Sequence, residues 1–173
     1  MDNREVNIFL KNLAIQNGLC EQWQNDWTLD KSNTELLEMF IKGQDFCIAN
    51  NYPSKEFIKE NFDIDFRRKN GVLVDDKYSL SNKRHIILMG NSTSNIRYNM
   101  WNVGAVYLRH DSVAVITAKN NSFVMVHLHD NATVSVAASD KAKIVVIRAS
   151  SACAIKQTIG NVVVKDNPDY LKK

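Results

Sequence analysis

An apolar β-branched residue recurs every ten positions through the second half of the chain: Ile86, Ile96, Val106, Ile116, Val126, Val136 and Val146. Self-similarity at so short a period marks a repeat architecture, in which each repeat buries one face against its neighbours. The decads starting at Asp111, Asn121, Asn131 and Lys141 show how. Their second residues are small (Ser112, Ser122, Ala132, Ala142), their fourth apolar (Ala114, Val124, Val134, Ile144) and their sixth β-branched. Alternation of this kind is the period of a strand with one buried face. The decads end in Asn120-Asn121, Asp130-Asn131, Asp140-Lys141 and Gly160-Asn161. Those residues tolerate the left-handed backbone of a tight corner.

The buried face stays on even residue numbers throughout. A meander built on two-residue hairpins would switch parity at every turn, so that arrangement is excluded. Hairpins with three-residue loops would keep parity, but the Ser/Ala column favours strands stacked on their own copies. The eighth position reads Leu108, Ala118, Leu128, Ala138. Two opposed sheets can use such large-small alternation to interdigitate across a thin core. The pattern predicts a coil of twenty residues, one decad on each of two faces, and about four coils over residues 85–165.

The N-terminal third has helical periodicity instead. Val6, Phe9, Leu10 and Leu13 form one stripe that Gly18 stops. Ser32 or Asn33 can cap a second helix carrying Leu36, Leu37, Phe40, Ile41 and Cys47. Pro53 sits near the start of a third, with Phe57, Ile58 and Phe62. The expected fold class is α+β: a helical head over residues 1–66, a connector over 67–84 with a short strand at Val72-Leu73-Val74, the β-solenoid, and a tail over 166–173.

With twenty residues per coil, alternate decads share an outer surface. One surface presents Val103, Ala105, Tyr107, Phe123, Met125, His127, Val145 and Ile147. The other presents Val113, Val115, Thr117, Thr133, Ser135, Ala137, Cys153, Ile155 and Gln157. The first is larger and more aromatic, and such a patch is seldom left in water. Tyr107, Phe123, Met125, Val145 and Ile147 are therefore the expected interface, covered by the helical head or by another subunit.

Charge divides along the same line: residues 1–66 carry a net −6 and residues 67–173 a net +9. The basic residues of the repeat half are scattered, apart from Arg67-Arg68-Lys69, which argues against a nucleic-acid site. Cys20, Cys47 and Cys153 are odd in number and widely spaced, as suits reduced thiols in a cytoplasm. No apolar run approaches a membrane span, and Lys11-Asn12 interrupts the first stripe, so no membrane role and no leader are expected.

Chemistry is sparse. There is no phosphate loop, dinucleotide fingerprint, zinc-protease motif or nucleophile elbow, so no catalytic residue and no cofactor is assigned. His127 and His129 share one side of a strand with His110 nearby, but nothing completes a metal set, and exposed imidazoles are expected. If the protein binds a small anionic ligand, Arg97, Tyr98, Trp101 and Arg109, with Tyr107, are the nearest candidates.

Three stretches carry a resemblance: Phe40 to Phe62 (FIKGQDFCIANNYPSKEFIKENF), Tyr107 to Ile116 (YLRHDSVAVI) and Asp130 to Val136 (DNATVSV). Together they resemble uncharacterised proteins of Bacteroidales bacteria and their phages or mobile elements, in which a helical head precedes Asn/Asp-Ala-x-Val-x-Val repeats. The resemblance implies synthesis in a bacterial or phage-infected cytoplasm and carries no activity, cofactor or catalytic residue. Two function classes lead, with an enzyme a third behind them. One is a non-enzymatic structural or interaction protein, a rigid solenoid that forms a homo-oligomer or docks a protein partner. The other is a phage or mobile-element protein that sequesters a host-defence ligand or effector.

Overall fold

The computed structural model describes residues 1–167 and divides the chain into two compact units, Met1–Asp63 and Ile64–Lys173.

The first unit holds five helices: α1 (Asn3–Gln16), α2 (Glu21–Asp26), α3 (Asn33–Lys42), α4 (Gln44–Ala49) and α5 (Lys55–Asn61). Asp2 and Ser32 start α1 and α3 with reciprocal capping boxes to Glu5 and Glu35, which satisfy otherwise orphaned N–H groups. Gly18 follows α1 with φ +86°, a conformation a side chain would strain. The second expected helix breaks at Gly43, so Cys47 lies on α4 rather than on the element Ser32 caps. Ser54, not Pro53, caps α5. The six-residue α2 has no buried residue and so leaves no stripe to read. Val6, Leu10, Leu36, Leu37, Phe40 and Ile58 form the centre of this unit's core. Asn7 is fully buried there, and its amide is fully used. Asn7 donates to the carbonyls of Asn3 (2.9 Å) and Lys31 (2.8 Å), and its Oδ1 accepts from Trp27 Nε1 (3.1 Å).

The second unit opens with α6 (Ile64–Lys69) and then stacks β1 (Val72–Val74), β2 (Leu80–Ser81), β3 (His85–Met89), β4 (Thr93–Tyr98), β5 (Val103–Leu108), β6 (Val113–Ala118), β7 (Phe123–Leu128), β8 (Thr133–Ala138), β9 (Lys143–Arg148), β10 (Ala154–Ile159) and β11 (Val162–Asp166). They form two parallel sheets, ordered β1-β3-β5-β7-β9-β11 and β10-β8-β6-β4-β2. Val106 pairs with Val126 and Val126 with Val146; on the other sheet Ile96 pairs with Ile116 and Ile116 with Val136. The chain is therefore an α+β protein whose C-terminal part is a β-solenoid of about four turns, with twenty residues per regular coil.

The even columns meet in one continuous core. Val126 and Val136 are buried on opposite sheets. Leu88, Leu108 and Leu128 of the six-stranded sheet face a side whose matching column is Tyr98, Ala118 and Ala138. Tyr98 breaks the small column, and Gly104 makes room for it: a Cβ there would overlap the phenol ring. The Tyr98 hydroxyl donates to the Lys83 carbonyl (2.7 Å), so the buried oxygen has a partner.

Residues expected as a connector form the first coil instead. Val72 pairs with Ile87 and Leu80 with Ile96, offsets shorter than twenty, which hid them from the decad pattern. Arg68 of α6 clamps Asp76 through two hydrogen bonds (2.9 and 2.8 Å) and lies 4.7 Å over the Tyr78 ring.

The far end differs from expectation in three ways. An extra residue in the corner before β10 sets Ala154 opposite Thr133, so Cys153 turns inward and is buried, and Ile155 pairs with inward Val134. The register then shifts between Ile155 and Gln157, which returns Gln157 to the outward side opposite Ser135. Finally, β11 runs past Val164 to Asp166, opposite Arg148. Val164, not Asp166, occupies the Val146 column, because this strand pairs with an offset shorter than twenty. The rest of the expected tail, residues 168–173, lies outside the described residues. Among the described residues no helix is long and apolar enough to cross a membrane.

Candidate interaction site

Every regular corner of the solenoid turns on the tenth residue of a decad, which takes a left-handed conformation. The φ angles are 67° at Gly90, 61° at Met100, 58° at His110, 58° at Asn120, 55° at Asp130 and 59° at Asp140. Glycine does this freely, and Asn and Asp at small cost. Their side chains also do work: the His110 N–H donates to Asp130 Oδ2 (2.8 Å) and the Asn120 N–H to Asp140 Oδ2 (3.2 Å), each reaching one coil along. His110 fits the same ladder, since its Nδ1 accepts from the Gly90 N–H (3.0 Å). The ring proton then sits on Nε2.

Met100 is the exception. A thioether cannot accept a backbone bond of useful strength, and the Met100 N–H donates to Asn99 Oδ1 (2.8 Å) instead. Left-handed backbone costs a residue with a Cβ roughly 1–2 kcal/mol. Nothing buried repays it here, because Met100 is 64% exposed. Its neighbours are as open: Trp101 is 79% and Val103 61% exposed. Val103 pairs with half-buried Phe123 on the next coil, so the apolar surface continues along the six-stranded sheet. Asn99 and Lys119, nearby in sequence or register, are exposed and polar. An apolar centre with a polar rim is the anatomy of a protein interface.

Of the four residues proposed from sequence for a ligand, only Trp101 lies in this patch. Tyr98 points into the core, where burial pushes its phenol well above the usual range. Arg97 lies on the outer side of the five-stranded sheet, exposed. Arg109 is buried at the far end of β5. They do not converge. Of the five residues expected to form the interface, Tyr107, Phe123, Met125 and Ile147 are half-buried and Val145 is buried.

The histidines also depart from expectation. His127 and His129 are buried, not exposed. Parallel register stacks His127 on Tyr107, with centroids 4.7 Å apart and planes 12° from parallel. His129 falls in the corner column of Met89 and Arg109, which is buried throughout. No group of three potential metal ligands occurs among the described residues.

The helical unit holds a separate feature, a cavity of about 320 Å³ between α1, α3, α4 and α5. Leu10, Leu37, Phe40, Cys47 and Ile58 form its floor, and Trp23 lies over the Gly43 junction at its mouth. Compared with known proteins, the chain matches no family model, no curated protein and no solved structure.

Proposed function

We propose that this chain is a non-enzymatic interaction protein, a rigid solenoid that associates with a second copy of itself through the Met100-Trp101-Val103 corner. One observation carries the reading: a strained, exposed methionine beside the most exposed tryptophan, at a corner whose counterparts use Gly, His, Asn or Asp. Strain retained with no intramolecular return points to function. Trp and Met are also the side chains that anchor interfaces with the largest energies. A stacked parallel sheet supports such a patch well, since its backbone is fixed by hydrogen bonds on both sides. Phe123 and Met125, continuous with the patch through the β5–β7 ladder, extend the contact.

Sedimentation equilibrium of the wild type and of Trp101→Glu tests this. The wild type is expected to be dimeric or larger at micromolar concentration. The variant is expected to be monomeric with the same circular dichroism and melting temperature, because the side chain it changes is exposed. A wild type that is monomeric at every concentration overturns self-association. A foreign protein captured by the wild type but not by Trp101→Glu would then assign the patch to another partner.

A further inference from the structure

The cavity of the helical unit is not accounted for by an interaction role. Its volume, about 320 Å³, lies at the lower end of the ~300–1,000 Å³ range of small-molecule pockets. Natural interiors are packed as densely as organic crystals and leave few voids larger than water. Water is held only weakly against a largely apolar wall such as this one, because a well-held water needs two to four polar partners. The polar groups of two wall residues are already used. The Tyr52 hydroxyl donates to the Leu10 carbonyl (2.9 Å), and Trp27 Nε1 donates to Asn7 Oδ1 (3.1 Å). Burial keeps the Tyr52 phenol neutral by pushing its pKa far up. Both polar aromatics thus have their polar atoms engaged within the protein.

The mouth differs from the floor. Cys20, Lys42 and Asp45 are exposed there, while Trp23, Met39 and Phe46 are half-buried. Lys42 already faces Glu38 (3.9 Å) on α3, so the rim carries both signs of charge and selects neither. Trp23 sits on the short α2, which has no buried residue. From this we infer that the cavity is a binding site for an uncharged apolar small molecule, an alkyl chain or an aromatic ring system that needs no hydrogen bond. Affinity would come from apolar burial against Leu37, Phe40, Cys47 and Ile58 and from ring contact with Trp23 and Trp27.

The full chain carrying Trp101→Phe provides the test, because its two remaining tryptophans, Trp23 and Trp27, both line the cavity. N-phenyl-1-naphthylamine, an uncharged fluorescent ring compound, is titrated in. Saturable one-to-one binding at micromolar concentration is expected, with energy transfer from tryptophan to the probe. Ala14→Met, which fills the cavity with a flexible apolar side chain, should weaken binding at least tenfold while the protein melts no lower. A second measurement needs no filled variant: the probe should slow alkylation of Cys47, on the cavity wall, and leave buried Cys153 in the solenoid unaffected. No saturable binding, or binding that neither protects Cys47 nor responds to Ala14→Met, overturns the inference. None of these outcomes reads self-association, since the reporting residues, Trp23, Trp27 and Cys47, all line the cavity of the helical unit.

Discussion

At the residue scale two positions break the repeat, and each break has a local cause. Gly104 stands in a column that elsewhere holds Val124 and Ile144, because the Tyr98 ring occupies the space its side chain would need. Gly104→Val should therefore destabilise by roughly 1–3 kcal/mol through overpacking. Tyr98→Ala should also destabilise, by leaving a cavity. The double variant should lose less than the sum of the two, and a thermal-melting cycle reads that coupling; strict additivity would mean the two side chains do not compete for one space. Met100 breaks the repeat outward. Met100→Asn should raise stability by about 1 kcal/mol at concentrations where the protein is monomeric, because Asn tolerates φ near +61°. The same change should weaken association. A variant that melts lower than the wild type would show that Met100 makes a contact the exposed geometry does not contain. The sequence distinguished neither position: Trp101 was read as a ligand candidate, and only its exposure marks it as part of a surface.

At the element scale the decad columns made the regular strands legible, because an inward position in a parallel stack lies on its own copy. Val126→Asp would bury an unpaired charge and cost several kcal/mol, so loss of soluble folded protein is expected. Thr133→Asp, on the outward side, should fold with nearly unchanged melting; the opposite outcome would refute the parity. Where the period changes, the sequence is silent. The first coil pairs at shorter offsets, and one added residue before β10 reverses the parity of Cys153. The break between α3 and α4 at Gly43 was hidden because apolar spacing continues across it to Cys47. The burial of His127 and His129 has a different reason, since their odd, outward parity predicts exposure while parallel stacking covers them.

The α6 clamp adds a pH dependence at this scale. Hydrogen bonds from Arg68 hold the Asp76 carboxyl below the ordinary carboxylate range. A carboxyl lowered by folding stabilises above its unfolded pKa, and the contribution is lost as pH falls through the lower folded value. Melting temperature should thus be insensitive to this pair at neutral pH and fall in acid. Asp76→Asn should melt lower near neutrality and lose part of that acid dependence. An unchanged acid limb would show that the clamp contributes nothing to folding.

At the scale of the whole molecule, each unit has its own core and its own opening. The helical unit keeps a largely apolar cavity, whose Tyr52 and Trp27 polar groups are hydrogen-bonded. The solenoid keeps an apolar corner whose backbone is strained. The charge division, net −6 before residue 67 and +9 after it, was visible in sequence, but it names no partner. The four residues gathered from sequence as an anionic ligand site are spread over core, corner and outer sheet, because neighbours in a solenoid's sequence point to opposite sides. Self-association through the corner is the central claim, and the Trp101 side chain can report on it directly. Biosynthetic 5-fluorotryptophan gives three fluorine resonances, with Trp101 assigned by its loss in Trp101→Phe. The Trp101 signal is expected to shift and broaden as protein concentration rises through the micromolar range, while Trp23 and Trp27 stay fixed. A Trp101 signal that keeps its position and its solvent isotope shift at every concentration would contradict the claim.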